Sequence, residues 1–328
     1  MVKKFFTPII KSASPNVSWA LYISFRNFNP LFSVMRNKQI YNMKVVLFIF
    51  LSILICSPAF GQRKKKVNTA GQGTFFIYFG YNRSAYSSST IDFVSPNYNF
   101  SMANAAGTDN PNDGSISKYL SSDGFETFQF NVHMGYYIKP KWAITFGVDR
   151  LNYFMANNQT VSLSGAFSPG NHSEWNGVYE NQETQINRSN IFYRQESGMN
   201  YLRTGILHTQ ELVQSKKGEY VLSLNTGIGA GVLLSNSIYT YDGLTNTPTS
   251  GTSGFGLSGH LGLRADLFQR LFLQTTFSGG ILKQGNIRLD QAGNANASQT
   301  MGYFSPEIAL GFLVYVRPTN NCGTCPSW

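Results

Sequence analysis

Charge is scarce in this sequence. Asp, Glu, Lys and Arg make up 13% of its 328 residues, where about 25% is usual in a soluble domain. No acidic residue precedes Asp92, cysteine occurs 3 times and histidine 4 times. No spacing among them suits a metal site, and no cofactor is expected. No apolar run reaches the ~20 residues a membrane helix needs, and a mean hydropathy of −0.16 excludes a bundle of such helices. Gly227-Ile228-Gly229-Ala230-Gly231 has no Lys-Ser or Lys-Thr after it, so it is not a phosphate loop. Aromatics, by contrast, reach 15%. Few charges, many aromatics and near-neutral hydropathy fit strands with one lipid-facing and one polar face.

The net charge of +10 belongs to one end of the chain. Residues 1–66 hold 11 of the 26 Lys and Arg, and the remainder has 15 basic against 16 acidic residues. Nucleic acid is therefore not an expected partner. Within that end, Met43-Lys44 opens an apolar run from Val45 to Ile55, broken only by Ser52. Pro58 and the small residues Ala59 and Gly61 follow, which is the pattern of a signal peptide cut before Gln62. An uncleaved anchor is the alternative. Lipidation at Cys56 is disfavoured because Leu54-Ile55 stand where small residues would be needed. The domains read as an upstream extension (1–42), a signal peptide (43–61), a basic linker (62–73), a barrel (74–317) and a periplasmic tail (318–328). In the linker, Arg63-Lys64-Lys65-Lys66 is a solvated tract that could touch anionic inner-leaflet headgroups.

From Thr74 onward the chain alternates with period two, which argues for strands with two different faces. Phe128, Phe130, Val132, Met134, Tyr136 and Ile138 share one face, and Gln129, Asn131, His133 and Gly135 the other. Eight segments read this way, the last running to Val316. Short connections near Lys139-Pro140-Lys141, Ser215–Gly218 and Gln269-Arg270 alternate with long polar ones near 88–124, 156–198, 241–253 and 290–299. Short turns at one end and long loops at the other predict an all-β, eight-stranded, antiparallel up-and-down transmembrane barrel. A secreted soluble β-sandwich is the competing fold. Eight strands enclose an interior just filled by side chains, so an open porin is not expected. The inward glycines Gly227, Gly229 and Gly231 are expected to make room for larger inward neighbours.

The inward polar residues His133, Asp149, Arg203, His260, Arg264 and Glu307 must pair inside the barrel or meet water. A satisfied polar plug is the plain reading, and a proton- or ligand-binding relay is the sharper one. Ser258 and His260 share a face, but Asp266 lies about 20 Å along the strand at ~3.3 Å per residue, too far to orient that imidazole. Cys322-Gly323-Thr324-Cys325 reads as a tail disulfide, with free thiols or a metal contact as alternatives.

Several stretches carry a family resemblance. They are Phe76-Ile77-Tyr78-Phe79-Gly80-Tyr81-Asn82-Arg83, Tyr86-Ser87, Ile91-Asp92-Phe93, Gly135-Tyr136-Tyr137, Phe146-Gly147-Val148-Asp149 and Gly198-Met199-Asn200-Tyr201. Together they resemble a Bacteroidota family of outer-membrane barrels of unestablished function, over most of residues 73–317. The closing strand Gly311–Val316 resembles the signal read by barrel assembly machinery. Arg194-Gln195-Glu196-Ser197-Gly198 is also reminiscent of lipid A deacylases, eight-stranded barrels with His and Ser two apart on one strand. Ser197 stands at the nucleophile's place, but Gln195 replaces the His, and an amide cannot take a proton as a general base. The resemblance thus implies a non-enzymatic outer-membrane barrel of surface structure or binding, in contact with outer-membrane lipid and lipopolysaccharide, with no ligand named. A lipid A deacylase-like hydrolase, inactive for want of that His, is the alternative. N-terminal sequencing of exported protein is expected to start at Gln62; a precursor beginning at Met1 would contradict the Met43 start.

Overall fold

A strand in hydrocarbon has no water to bind its backbone, so its edges must be paired. The structure, a computed structural model, describes residues 68–109, 129–168, 175–216 and 218–316, with the side chains of Glu196 and Ser197 left out. The expected extension, signal peptide, Arg63–Lys66 tract and the tail with Cys322 and Cys325 lie outside the described residues. Fifteen strands follow in chain order: β1 (Thr74–Asn82), β2 (Ala85–Tyr86), β3 (Ser89–Ser95), β4 (Tyr98–Ala105), β5 (Gly107–Thr108), β6 (Phe130–Lys139), β7 (Trp142–Met155), β8 (Gln159–Phe167), β9 (Gly177–Ile186), β10 (Ile191–Gln214), β11 (Tyr220–Tyr241), β12 (Leu244–Thr245), β13 (Thr249–Leu267), β14 (Leu271–Arg288) and β15 (Asn296–Tyr315). No helix among the described residues is long and apolar enough to cross a membrane.

Eight of these strands close a ring in the order β1-β6-β7-β10-β11-β13-β14-β15, and β15 pairs back onto β1. Every pairing in the ring is antiparallel. The expected eight-stranded, up-and-down transmembrane barrel is the fold. Its outer wall is apolar: Phe79, Ile144, Ile206, Ile228, Leu261, Phe277 and Ile308 are all about half exposed or more. This belt has an upper limit. Lys283 follows Ile281 on the outer face of β14, and Arg150 follows Val148 on that of β7. Leu271 to Ile281 is the length of the ~9–11 tilted residues that cross a bilayer. At the lower end the turns are tight. Phe268 and Gln269, joining β13 to β14, both take left-handed φ values of 52° and 65°, the hand that matches hairpin twist.

The ring is uneven. β1 has 9 residues and β15 has 20, so the upper half of β15 outruns its neighbour. There the chain returns: β2 pairs with Tyr303 and Phe304, and β3 with Asn296 to Gln299. The sheet then continues outward as β3-β4-β8-β9. The stretches near 88–124 and 156–198, expected to be long polar loops, therefore contain strands, and β10 already begins at Ile191. Their apolar residues drive this. Ile91, Phe93, Phe100, Met102, Leu163 and Phe167 are buried in one core with Tyr239, Ile191, Leu282 and Ile287. Phe93 stacks on Phe100 at 4.9 Å and on Tyr239 at 5.2 Å. Opposite faces of these short strands carry Asp92, Asn99 and Thr160, which are exposed. Above the belt the external half is thus a folded two-layer cap over the barrel.

Candidate functional site: the barrel interior

Small inward residues create space and large ones fill it. A Cβ on Gly147 would come within 1.9 Å of His133, and one on Gly311 within 2.2 Å of the Phe272 ring. The expected role of Gly227, Gly229 and Gly231 holds in part. Gly229 lies beside Ser258 and His260, but Gly231 and Gly227 face the backbone carbonyls of Leu202 and Ile206. Those two admit close strand approach rather than a larger side chain.

Three polar layers result. The lowest closes the tight-turn end. Thr69, just before β1, is fully buried and its hydroxyl donates to Asp266 at 2.5 Å. Arg264 donates to Asp266 at 3.1 Å and to the Tyr137 hydroxyl at 3.0 Å, and lies 5.0 Å from the Phe272 ring centre. Tyr137 and Thr209 share a 2.7 Å bond, and Thr209 donates to Asn225. Residues 68–73, read from sequence as the end of a linker, thus supply part of the barrel floor.

The middle layer gathers His133, Asp149, Arg203 and His260. Arg203 Nε donates to one oxygen of Asp149, and His133 Nε2 lies 2.7 Å from the other. A carboxylate accepts only, so His133 carries its proton on Nε2. The 3.2 Å approach of Arg203 Nη2 to that same nitrogen sets donor against donor and is a contact, not a bond. His260 has the opposite tautomer. Its Nε2 accepts from Arg203 Nη1 at 2.6 Å, and its Nδ1 donates to Ser278 at 2.9 Å. Ser258 Oγ also lies 3.0 Å from His260 Nε2. A general base for Ser258 would need a free lone pair there, and the guanidinium holds it. Hydrogen bonding therefore makes Ser258–His260 a packing contact rather than a nucleophile and its base.

Glu307 sits beside this group and accepts from Asn131 at 2.8 Å. Atoms of His133, Asp149 and Glu307 approach within 4.8 Å of one another, all buried, a spacing that could suit a metal. Both Asp149 oxygens are already engaged, however, and Arg203 supplies the positive charge at that point. A cavity of about 30 Å³ lies between Arg203, His260, Asn225 and Gln274, room for a water.

In the upper layer Gln284 bridges Gln195, Ser235 and Ser253 at 2.7–3.1 Å. Gln195 is fully buried and donates to Tyr193 at 2.7 Å, so the residue at the deacylase His position faces the core, not lipid. Ser197, whose side chain lies outside the described ones, sits in a bulge. Register slips between Gln195 and Met199 against both neighbours, with Gly198 at φ 83°.

Of the inward residues His133, Asp149, Arg203, His260, Arg264 and Glu307, Arg264 lies in the lower layer and the other five lie together. Tyr137 and Thr69 were not singled out from sequence, whereas Asn131, Gln274 and Ser278 were placed on inward faces without their hydrogen-bond partners. Tyr137 occupies an inward position of the alternation, the one signal that could have found it.

No family model matches the chain, and no curated protein matches its sequence. Among solved structures it is similar to the attachment invasion locus protein Ail of Yersinia pestis, at 12% identity over 74% of this chain and 99% of that one, TM-score 0.32. It is also similar to the outer membrane protein OprG of Pseudomonas aeruginosa, at 10% identity over 76% and 100%, TM-score 0.35. Neisserial surface protein A gives 9% identity over 74% and 99%, TM-score 0.30. The eight-stranded closure stands on the strand pairing above and not on these likenesses.

Removing one member of a buried charge pair leaves the other uncompensated, at ~3–5 kcal/mol. Arg203→Met is expected to lose that much stability in urea unfolding from lipid vesicles. Adding Asp149→Leu is expected to cost less than the two single losses summed. Additive losses would show that Arg203 and Asp149 are not coupled.

Proposed function

We propose that this chain is a non-enzymatic outer-membrane barrel that acts through its external cap, as surface structure or as a binding element, and not as an open porin. The observation that carries the reading is the filled interior. Three hydrogen-bonded layers occupy the lumen, and the aromatic core of the cap lies above them. Such packing supports a plugged lumen among the described residues, and the strands of the cap supply an external surface. Its exposed face carries the polar side chains Asp92, Asn99 and Thr160 alongside the apolar Val94 and Val178, which suits mixed polar and apolar recognition. Among the described residues β9 is the last strand of that sheet. Insertion from the periplasm by barrel assembly machinery, after export through the 43–61 leader, is part of this reading, as is contact with lipopolysaccharide around the belt. The deacylase-like alternative needs a base open to the outer leaflet beside Ser197. Gln195 is neither a base nor open to lipid, and His260 has its lone pair engaged.

Two measurements test this together. Purified barrel in planar bilayers is expected to give no stepwise conductance, and lipid A from cells with and without the gene is expected to carry the same acyl number. Channel steps would overturn the plugged interior. An acyl change rescued by wild type but not by Ser197→Ala would replace the reading with the hydrolase.

A further inference from the structure

The outer wall of the barrel is not uniform. Over β6, β7 and β10 it carries a groove of about 600 Å³ walled by Ile138, Trp142, Ile144 and Ile206. A second groove of about 540 Å³ starts on the other side of Ile206 and runs over Ile228, Leu257 and Ile281. Both share the floor residues Thr204 and Gly205. The depressions exist because small residues lie between bulky, outward ones, with Ile206 as the ridge between them.

One end of the first groove is charged. Lys139 lines it, and Lys141 follows across the tight β6–β7 turn. Both are exposed, and neither has an ion pair among the described residues. His208 stands directly opposite Trp142 in the β7–β10 pairing, with the two rings 4.7 Å apart. Trp at the headgroup level with Lys just beyond it is the layout of a membrane interface. Further along the same rim Lys216 is also exposed. The tight-turn end is thus basic where the wall is grooved, and a basic cluster at that depth attracts anionic headgroups.

We propose that this surface binds one anionic diacyl phospholipid of the inner leaflet, its phosphate between Lys139 and Lys141 and its two acyl chains on either side of Ile206, one in the first groove and one in the Ile228 end of the second, short of Ile281 at the upper edge of the belt. Two apolar grooves that meet at one ridge match two chains, and two unpaired ammonium groups match one anionic headgroup. The site rests on the barrel's placement in the membrane and is independent of what the external cap does.

The test is native mass spectrometry of the folded barrel in a mild nonionic detergent, titrated with phosphatidylglycerol or phosphatidylcholine of the same chains. At ~1 kcal/mol per basic residue, the wild type is expected to prefer phosphatidylglycerol roughly thirtyfold. Lys139→Gln/Lys141→Gln is expected to lose that preference, while Lys216→Gln keeps it. Lysophosphatidylglycerol, with one chain, is expected to bind more weakly, and inorganic phosphate not to compete. Both lysines are exposed, so the variants keep the barrel, as an unheated gel band will show. Equal binding of the two lipids, or a preference that survives the double variant, would overturn the site. Neither result would alter the conductance or lipid A outcomes.

Discussion

In hydrocarbon an unpaired backbone N–H or C=O costs several kcal/mol, and every strand in the belt is placed to avoid that cost. Pairing of β15 back onto β1, from Thr74↔Tyr315 to Asn82↔Glu307, removes the last free edge in the membrane. The same constraint explains the cap. β1 is short, so β15 above Glu307 would present an open edge, and the chain returns as β2 and β3 to cover it. Likewise β5 pairs with Phe154 and Met155 of β7, above the last residue that β6 reaches. Once β3 has been recruited, its apolar face needs a partner. Strands β4, β8 and β9 and the upper parts of β10 and β11 provide one.

Closure sets the diameter, and the diameter sets the interior. Eight strands leave space for side chains and little else. Charges pointed inward have no bulk water, so Arg203 pairs with Asp149 and Arg264 with Asp266, while Glu307 takes the amide of Asn131. Arg203 is central because it reaches Asp149 and His260 at once, fixing one carboxylate and one imidazole tautomer from a single side chain. That arrangement stabilises the plug and also engages the His260 lone pair that Ser258 would need from a general base.

The barrel was legible because its strands are long, alternate strictly and sit between turns of unequal length. Inward and outward assignments on β1, β6, β7, β11, β13, β14 and β15 follow from period two alone. The cap was not legible. Ile91, Phe93, Phe100 and Met102 also alternate, but over short runs among Ser, Thr and Asn, and composition made them look like loops. Pairing inside the lumen was out of reach for a different reason. Arg203, Asp149 and His260 lie on three strands, and which residues meet depends on the register between β7, β10, β11 and β13. Period two fixes a face, not a register. Gln195 shows the same limit: the motif places it two residues from Ser197, but only the bulge and the buried bonds to Tyr193 and Gln284 show that it points into the core.

Closure of the barrel in the outer membrane is tested most directly by the electrophoretic mobility of the detergent-solubilised protein, heated and unheated, from separated inner and outer membranes. Recovery in the outer membrane, with an unheated band that migrates differently from the heated one, is the predicted result. Recovery in the soluble periplasm with no mobility shift would contradict it, and would mean that the apolar outer faces pack against protein instead of lipid.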